Sequence, residues 1–232
     1  MGSKNKLKRF NENDTFHNVF QPKREELVDA VYPLKGQWNQ QFFKNNNPLV
    51  LELGCGKGEY TVGLAERYPE KNFIGIDIKG ARFWRGAKTA IENKLPNVAF
   101  IRAQIELVES LFASNEIDEI WITFPDPQIK YKRTKHRMTN DAFLKRYKNI
   151  LNDNGVMHLK TDSEFMHGYT LGLLHGQGHE VLYSNHDVYR QEGSPDEVIT
   201  IQTFYENQYL MEYLLLDFKS IDNAYKELNN KI

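Results

Sequence analysis

The sequence predicts an α/β fold: a mostly parallel sheet with helices on both faces and an antiparallel strand at its C-terminal end. Three observations lead there. Short apolar runs recur along the chain, amphipathic segments of helix length alternate with them, and after Gly178 the apolar runs follow one another without a helix between. Near-continuous apolar runs mark strands buried on both faces. Their alternation with helices marks βαβ units, and the loss of the helices marks the antiparallel end.

Each element follows in order. Residues 1–21 are polar and sprinkled with aromatics but show no sustained period, and Lys4, Lys6, Lys8 and Arg9 precede the first acid, Glu12. They read as a flexible basic arm folding onto a phosphate backbone, ahead of one domain over residues 22–232. Pro22 opens a helix to about Val31. Trp38, Phe42 and Phe43 precede an Asn-rich loop, Asn45–Asn47. Strands are expected at Leu49–Leu53, Phe73–Ile76, Val98–Ile101, Ile120–Thr123 and Val156–Leu159. Between them lie helices at Glu59–Tyr68, Lys79–Lys94, Asp141–Leu151 and Ser163–Gly176, with a shorter one at Ile105–Phe112. Glu180–His186, Ile199–Phe204 and Tyr209–Phe218 read as further strands, and Ile221–Lys231 as a terminal helix.

Composition bounds the function. The 232 residues are 40% hydrophobic, enough for one large core and too apolar for a disordered chain. Cys55 is the only cysteine, so neither an intramolecular disulfide nor a thiolate metal site is possible, and a reducing, cytoplasmic compartment is expected. No apolar run approaches a membrane span, and no apolar core follows the basic start. Net charge is −1, with 30 Lys+Arg against 31 Asp+Glu, which by itself discourages a nucleic-acid partner. The distribution says otherwise. Residues 1–9 hold four bases and no acid, and residues 128–148 hold eight bases against Asp141, leaving 18 bases against 30 acids elsewhere.

The chemistry starts at Glu52-Leu-Gly54-Cys-Gly56-Lys-Gly58, between the first long strand and its helix. Glycines at alternate positions let the backbone turn tightly and approach a ligand. The next strand ends in Asp77, an acid placed to accept hydrogen bonds from ribose hydroxyls. The third glycine falls two residues after the second, not three as in the dinucleotide fingerprint, and Glu52 suits a cationic amino group better than a pyrophosphate. The pattern is similar to motif I of class I S-adenosylmethionine-dependent methyltransferases. Ile78 is a candidate to pack on an adenine ring, and Trp84 reads as core or interface.

The fourth long strand runs into Phe124-Pro125-Asp126-Pro127. Prolines on both sides stiffen the turn and hold the carboxylate in one place. Lys130, Lys132, Arg133, Lys135, Arg137, Lys145, Arg146 and Lys148 follow directly, where phosphate contacts would position a nucleic acid.

Taken together, the glycine loop with Glu52, Phe124-Pro-Asp-Pro with its basic cluster, Leu159-Lys-Thr-Asp162 and Thr203-Phe-Tyr-Glu206 resemble the bacterial tRNA (guanine-N7-)-methyltransferase family in order and kind, over about Pro48 to Tyr209. The resemblance implies a single Rossmann-like class I methyltransferase domain with a seven-stranded sheet, S-adenosyl-L-methionine as methyl donor, tRNA as partner and a variable-loop guanine as target. It implies cofactor contacts at Glu52, Gly54, Gly56, Gly58, Asp77 and Asp126. The third acidic contact of the family is replaced by Gln104, whose amide can still bond an adenine edge. Asp126 also carries the catalytic role, and Lys130, Asp162, Thr203 and Glu206 the substrate contacts. Gln128 stands where the family commonly has Trp.

Guanine N7 bears an in-plane lone pair and no proton, so methyl transfer to it requires no prior deprotonation. A fixed carboxylate can orient the base through its N1–H and N2–H₂ donors and stabilise the cationic product, the role expected of Asp126 and shared with Asp162. Two other readings stay open: a methyltransferase acting on an exocyclic base amine or another acceptor, and a tRNA-binding module without catalysis. No metal is expected. His175 and His179 are spaced like helix ligands, but Gly176 and Gly178 between them indicate a loop. Monomer and homodimer are not distinguished.

Overall fold

A computed structural model of the chain describes residues 3–190, 192–204, 206 and 214–219. It opens with helix α1 (Ser3–Asn13), a two-residue strand β1 (Val19–Phe20), helix α2 (Arg24–Val28) and a π-helical turn, Trp38–Phe43. The alternating part follows: β2 (Leu49–Leu53), α3 (Glu59–Arg67), β3 (Asn72–Ile76), α4 (Gly80–Glu92) and β4 (Val98–Ile101). A 3₁₀ turn, Ile105–Leu107, runs into α5 (Val108–Leu111), then β5 (Ile117–Thr123) and a second 3₁₀ turn, Tyr131–His136. The rest is α6 (Asp141–Ile150), β6 (Leu151–Thr161), α7 (Glu164–Gly176), β7 (Glu180–Asn185), α8 (Asp196–Thr200) and β8 (Leu214–Lys219).

Among the described residues the sheet has eight strands in the order β1-β4-β3-β2-β5-β6-β8-β7. β1 to β6 are mutually parallel where they pair, and β8 runs antiparallel to both β6 and β7. The chain winds outward one way from β2 through β3 and β4, then returns to the other side of β2 for β5 and β6. That reversal opens a crevice beyond the C-terminal ends of β2 and β5, where α/β sheets bind ligands.

Alternation along each strand sends side chains into two separate cores. Leu49, Leu51, Leu53, Ile74, Ile76 and Ile122 pack on one face beneath Phe143, Tyr147 and Met166. Val50, Phe73, Phe100 and Trp121 pack on the other beneath Tyr60, Leu64, Phe83 and Ala87. Burial on both faces explains the continuous apolar runs. Glu52 is the exception in β2, 3% exposed and aimed into the second face.

The structure corrects several expectations. The N-terminal arm is not a free segment: residues 3–13 form α1, and β1 adds an eighth strand by pairing with β4 through Val19↔Phe100 and Phe20↔Ile101. Asn13 donates to the Gly80 carbonyl at 2.9 Å and Asn18 to the Ala87 carbonyl at 3.1 Å. Trp84, as expected, serves packing: its Nε1 donates to Glu12 at 2.9 Å and Arg9 lies over its ring. The expected strand Ile199–Phe204 is instead the end of α8 and an extended segment, because Asp196 and Glu197 start a helical turn that has no strand partner. β6 starts at Leu151, not Val156; the register jumps from Ile117↔Leu151 to Glu119↔Val156, so the polar residues between bulge out of the ladder. Of the expected strand Tyr209–Phe218, residues 214–218 lie in β8; its residues 209–213 and the expected helix Ile221–Lys231 lie outside the described residues. His175 lies in the last turn of α7 and His179 beyond its end; among the described residues no group of three or more His, Cys, Asp or Glu could hold a metal. No described helix is long and apolar enough to cross a membrane.

Candidate active site

The glycine loop leaves β2 and is fastened at once to the end of β3. Gly54 N and Cys55 N both donate to the Ile76 carbonyl, at 2.8 and 3.0 Å. Gly54, Gly56 and Gly58 all have positive φ, +74°, +57° and +79°. Asp77, next after β3 and nearly buried, accepts from Gly56 N through Oδ2 at 3.1 Å and from Lys79 N through Oδ1 at 2.7 Å. The carboxylate expected to meet a ribose thus also staples the loop that would carry the rest of the ligand.

The three glycines do different work. A Cβ on Gly56 would meet a single atom, the Gly54 carbonyl oxygen at 4.0 Å, so this position is an open cradle. A Cβ on Gly58 would lie 2.6 Å from the Phe100 ring and 3.2 Å from Gly86 Cα. Gly58 is not among the residues lining the two cavities at this loop; its bare backbone lets α3 approach the sheet and α4.

Glu52 sits at the floor. Oε1 accepts from Thr123 Oγ1 at 2.7 Å, and Oε2 accepts from Thr61 N at 2.8 Å and from the Thr61 hydroxyl. Burial pushes its pKa up to about 7, and the Thr61 and Thr123 bonds offset only part of that rise.

Two cavities meet at the loop. The deeper, about 130 Å³, is lined by Glu52, Gly54, Gly56, Tyr60, Phe124 and Thr203 among others. The wider, about 380 Å³, is lined by Gly54, Asp77, Ile78, Gln104, Asp126 and Met138 among others. Gly54 and Arg82 belong to both. Ile78 is half exposed toward this opening, and the Gln104 amide oxygen accepts from Arg24.

Asp126 stands exposed at the rim of the wider cavity. Its turn carries two non-glycine residues in the left-handed region, Phe124 at φ +48° and Gln128 at φ +46°, on either side of the proline pair. Gln128 N donates to Asp126 Oδ1 at 3.0 Å, and Phe124 N donates to the Lys160 carbonyl at 2.8 Å. The carboxylate is therefore bonded by the last residue of its own turn, and the first residue of that turn is tied to β6.

The remaining expectations divide. Thr203 lines the deeper cavity. Lys130 and Asp162 are exposed just outside, after β5 and β6, and line neither cavity. Glu206 is buried, at 3% exposure, and its carboxylate is engaged by Lys160 Nζ, by Tyr189 OH at 2.9 Å and by Thr203 N at 2.7 Å. Lys132, Arg133 and Lys135 are exposed on the 3₁₀ turn, but Arg137 is not part of that surface. Its guanidinium donates to the Gln128 and Ile129 carbonyls at 3.2 and 3.1 Å and lies 4.8 and 4.4 Å from the Phe165 and Tyr169 ring centres. Sequence reasoning missed Thr61, Thr123, Arg82 and Lys160. Lys160 carried the one visible signal, a charge inside an apolar strand.

A family model described as "Putative methyltransferase" matches residues 46–212. The chain is 74% identical over 210 residues to a tRNA (guanine-N(7)-)-methyltransferase of Christiangramia forsetii, covering 90% of this chain and 94% of that protein. It is 46% identical over 207 residues to the Bacteroides fragilis protein of the same name, covering 89% and 81%. Among solved structures, the 16S rRNA methyltransferase KamB aligns with TM-score 0.60 at 14% identity, over 78% of this chain and 92% of that one. A 30S ribosomal A1408 methyltransferase from an uncultured bacterium aligns with TM-score 0.58 at 14% identity, over 81% and 98%. At such identities the likeness shows the fold alone, while the sequence relatives carry the closer kinship. The chain belongs to the tRNA (guanine-N(7)-)-methyltransferase family.

Proposed function

We propose that this protein transfers a methyl group from S-adenosyl-L-methionine to N7 of a guanine in tRNA, in the variable loop, and that it works in the cytoplasm. The observation that carries the reading is the wider cavity, where Asp126 shares one opening with Asp77, Gln104 and the glycine loop.

The residues present fit the cofactor. Gly56 leaves open space where any Cβ would stand, and Glu52 offers a buried carboxylate at the floor to a cationic ammonium. Asp77 and Gln104 would hold the ribose and the adenine edge, and Ile78 would cover the ring. Bound there, S-adenosylmethionine supplies an electrophilic sulfonium methyl. The chain's own part is placement and charge. Asp126 orients guanine through its N–H donors and stabilises the positive charge that develops on the ring, a role Asp162 shares, and no base is needed at N7. Lys130, Lys132, Arg133 and Lys135 meet the phosphates around the target. Thr203 serves as a further contact at the deeper cavity.

The test is incubation with labelled S-adenosylmethionine and unmodified tRNA, followed by borohydride reduction and aniline cleavage. Scission at one variable-loop guanine is the expected result. Label without scission would move the acceptor to another atom, and tRNA retention without label would leave a binding module. Asp126→Asn that keeps full turnover with both ligands bound would overturn the electrostatic role.

A further inference from the structure

Lys160 is completely buried near the end of β6. Its ammonium has three N–H groups, and three acceptors stand around it: Tyr60 OH at 2.8 Å, the Val198 carbonyl at 2.7 Å and the Glu206 carboxylate. The rings of Tyr60, Phe124 and Tyr189 surround it, their centres 5.1, 5.4 and 5.8 Å away. Each acceptor comes from a different part of the chain: α3, α8 and the 203–206 segment.

Removing this charge from water opposes its protonated form, and burial lowers its pKa while Glu206 pulls it back. Such a pair contributes little net stability compared with a well-packed apolar substitute. Its placement suggests another use. Glu206 passes the constraint on, because Thr203 N donates to its Oε2 at 2.7 Å and Glu206 N donates to Thr203 Oγ1 at 3.2 Å. Phe204 is clasped from the glycine-loop side, its N donating to Glu59 Oε1 at 3.3 Å with Lys57 Nζ over its ring. Phe124 hangs from the Lys160 carbonyl. Tyr60, Phe124 and Thr203, three walls of the deeper cavity, are all tied to this one residue.

We infer that Lys160 is a positioning residue: through Glu206, Tyr60 and the Val198 carbonyl it sets the wall of the deeper cavity and so the affinity for S-adenosylmethionine, while Glu206 does not touch the substrate. The identity of the ligand rests on the function proposed above. The inference differs from the sequence-based role of Glu206, which would put the carboxylate on the guanine.

The experiment uses the full chain and isothermal calorimetry for S-adenosylmethionine, filter retention for tRNA without cofactor, and thermal melting to confirm folding. Lys160→Met and Glu206→Leu should each weaken S-adenosylmethionine binding roughly tenfold or more, with tRNA affinity within about twofold of wild type. Glu206→Gln, which keeps one acceptor oxygen, should recover most of the loss. Lys160→Met/Glu206→Leu, which leaves no uncompensated charge, should melt higher than either single variant without regaining cofactor affinity. Cofactor affinity at the wild-type level in the folded double variant would overturn the inference. Loss of tRNA affinity with cofactor affinity intact would overturn it as well, and return Glu206 to the substrate. A wild-type chain that binds S-adenosylmethionine but leaves N7 unmethylated would overturn the functional reading alone; one that binds no S-adenosylmethionine would overturn both.

Discussion

Thr123, the last residue of β5, donates its hydroxyl to Glu52 Oε1 at 2.7 Å, joining the two central strands beneath the ligand crevice. Together with Thr61 it gives the buried carboxylate partners but no cation. That leaves the acid poised near pH 7 and ready for a positively charged ligand group.

A pH dependence follows. The folded pKa of about 7 lies above the ordinary 4.5, so the proton is held more tightly in the folded state. The corresponding stability is present below about pH 4.5 and is lost as pH rises through 7. An ammonium needs the ionised form, so S-adenosylmethionine affinity should be flat above pH 7 and fall toward tenfold per unit below it. Calorimetry at pH 6 in buffers of different ionisation enthalpy should show a released proton that is absent at pH 8. Glu52→Gln should bind weakly at both values without the pH dependence; a retained dependence would place the titrating group elsewhere.

The glycines should separate stability from binding. Gly58→Ala puts a Cβ 2.6 Å from the Phe100 ring at φ +79° and should cost roughly 2–5 kcal/mol in denaturant melts. Gly56→Ala, at φ +57° with open space beside it, should cost about 1–2 kcal/mol yet remove most cofactor affinity. Equal effects on both quantities would refute the division.

The basic cluster should divide as well. Arg137 holds the Gln128 and Ile129 carbonyls from between two rings, so Arg137→Ala should destabilise the fold by about 3 kcal/mol. Lys132→Ala and Lys135→Ala, both exposed, should change stability by less than about 0.5 kcal/mol. Each should flatten the salt dependence of tRNA binding by roughly 0.7–0.9 in log–log slope.

Deleting residues 1–20 should lower the melting temperature as well as tRNA affinity. The deletion removes β1 from the sheet edge and the Asn13 and Asn18 bonds to α4. An unchanged melting curve would return this segment to the status of a free arm.

Strand positions such as Val98–Ile101 were legible because burial on both faces writes itself as a local apolar run, and the helices between them because one face alone is buried. Glu52 and Asp126 were legible because glycines or prolines, which are local punctuation, follow or flank them just where a strand gives out, and Asp77 because it directly follows the apolar run Phe73–Ile76. α1 and β1 were not: a two-residue strand has no period of its own and exists because β4 offers an unpaired edge. Nor could spacing tell Gly56 from Gly58, since the difference lies in Phe100, far along the chain. The same holds for Arg137 and Glu206. A charged residue reads as solvated in sequence, and whether it is buried depends on partners brought from elsewhere: the Phe165 and Tyr169 rings in one case, Lys160 in the other. The sequence by itself determined the class of the sheet and the carboxylates at its edge. The tertiary structure decided which charges face the crevice and which hold its walls, because the desolvation that separates those roles is set by contacts between distant segments.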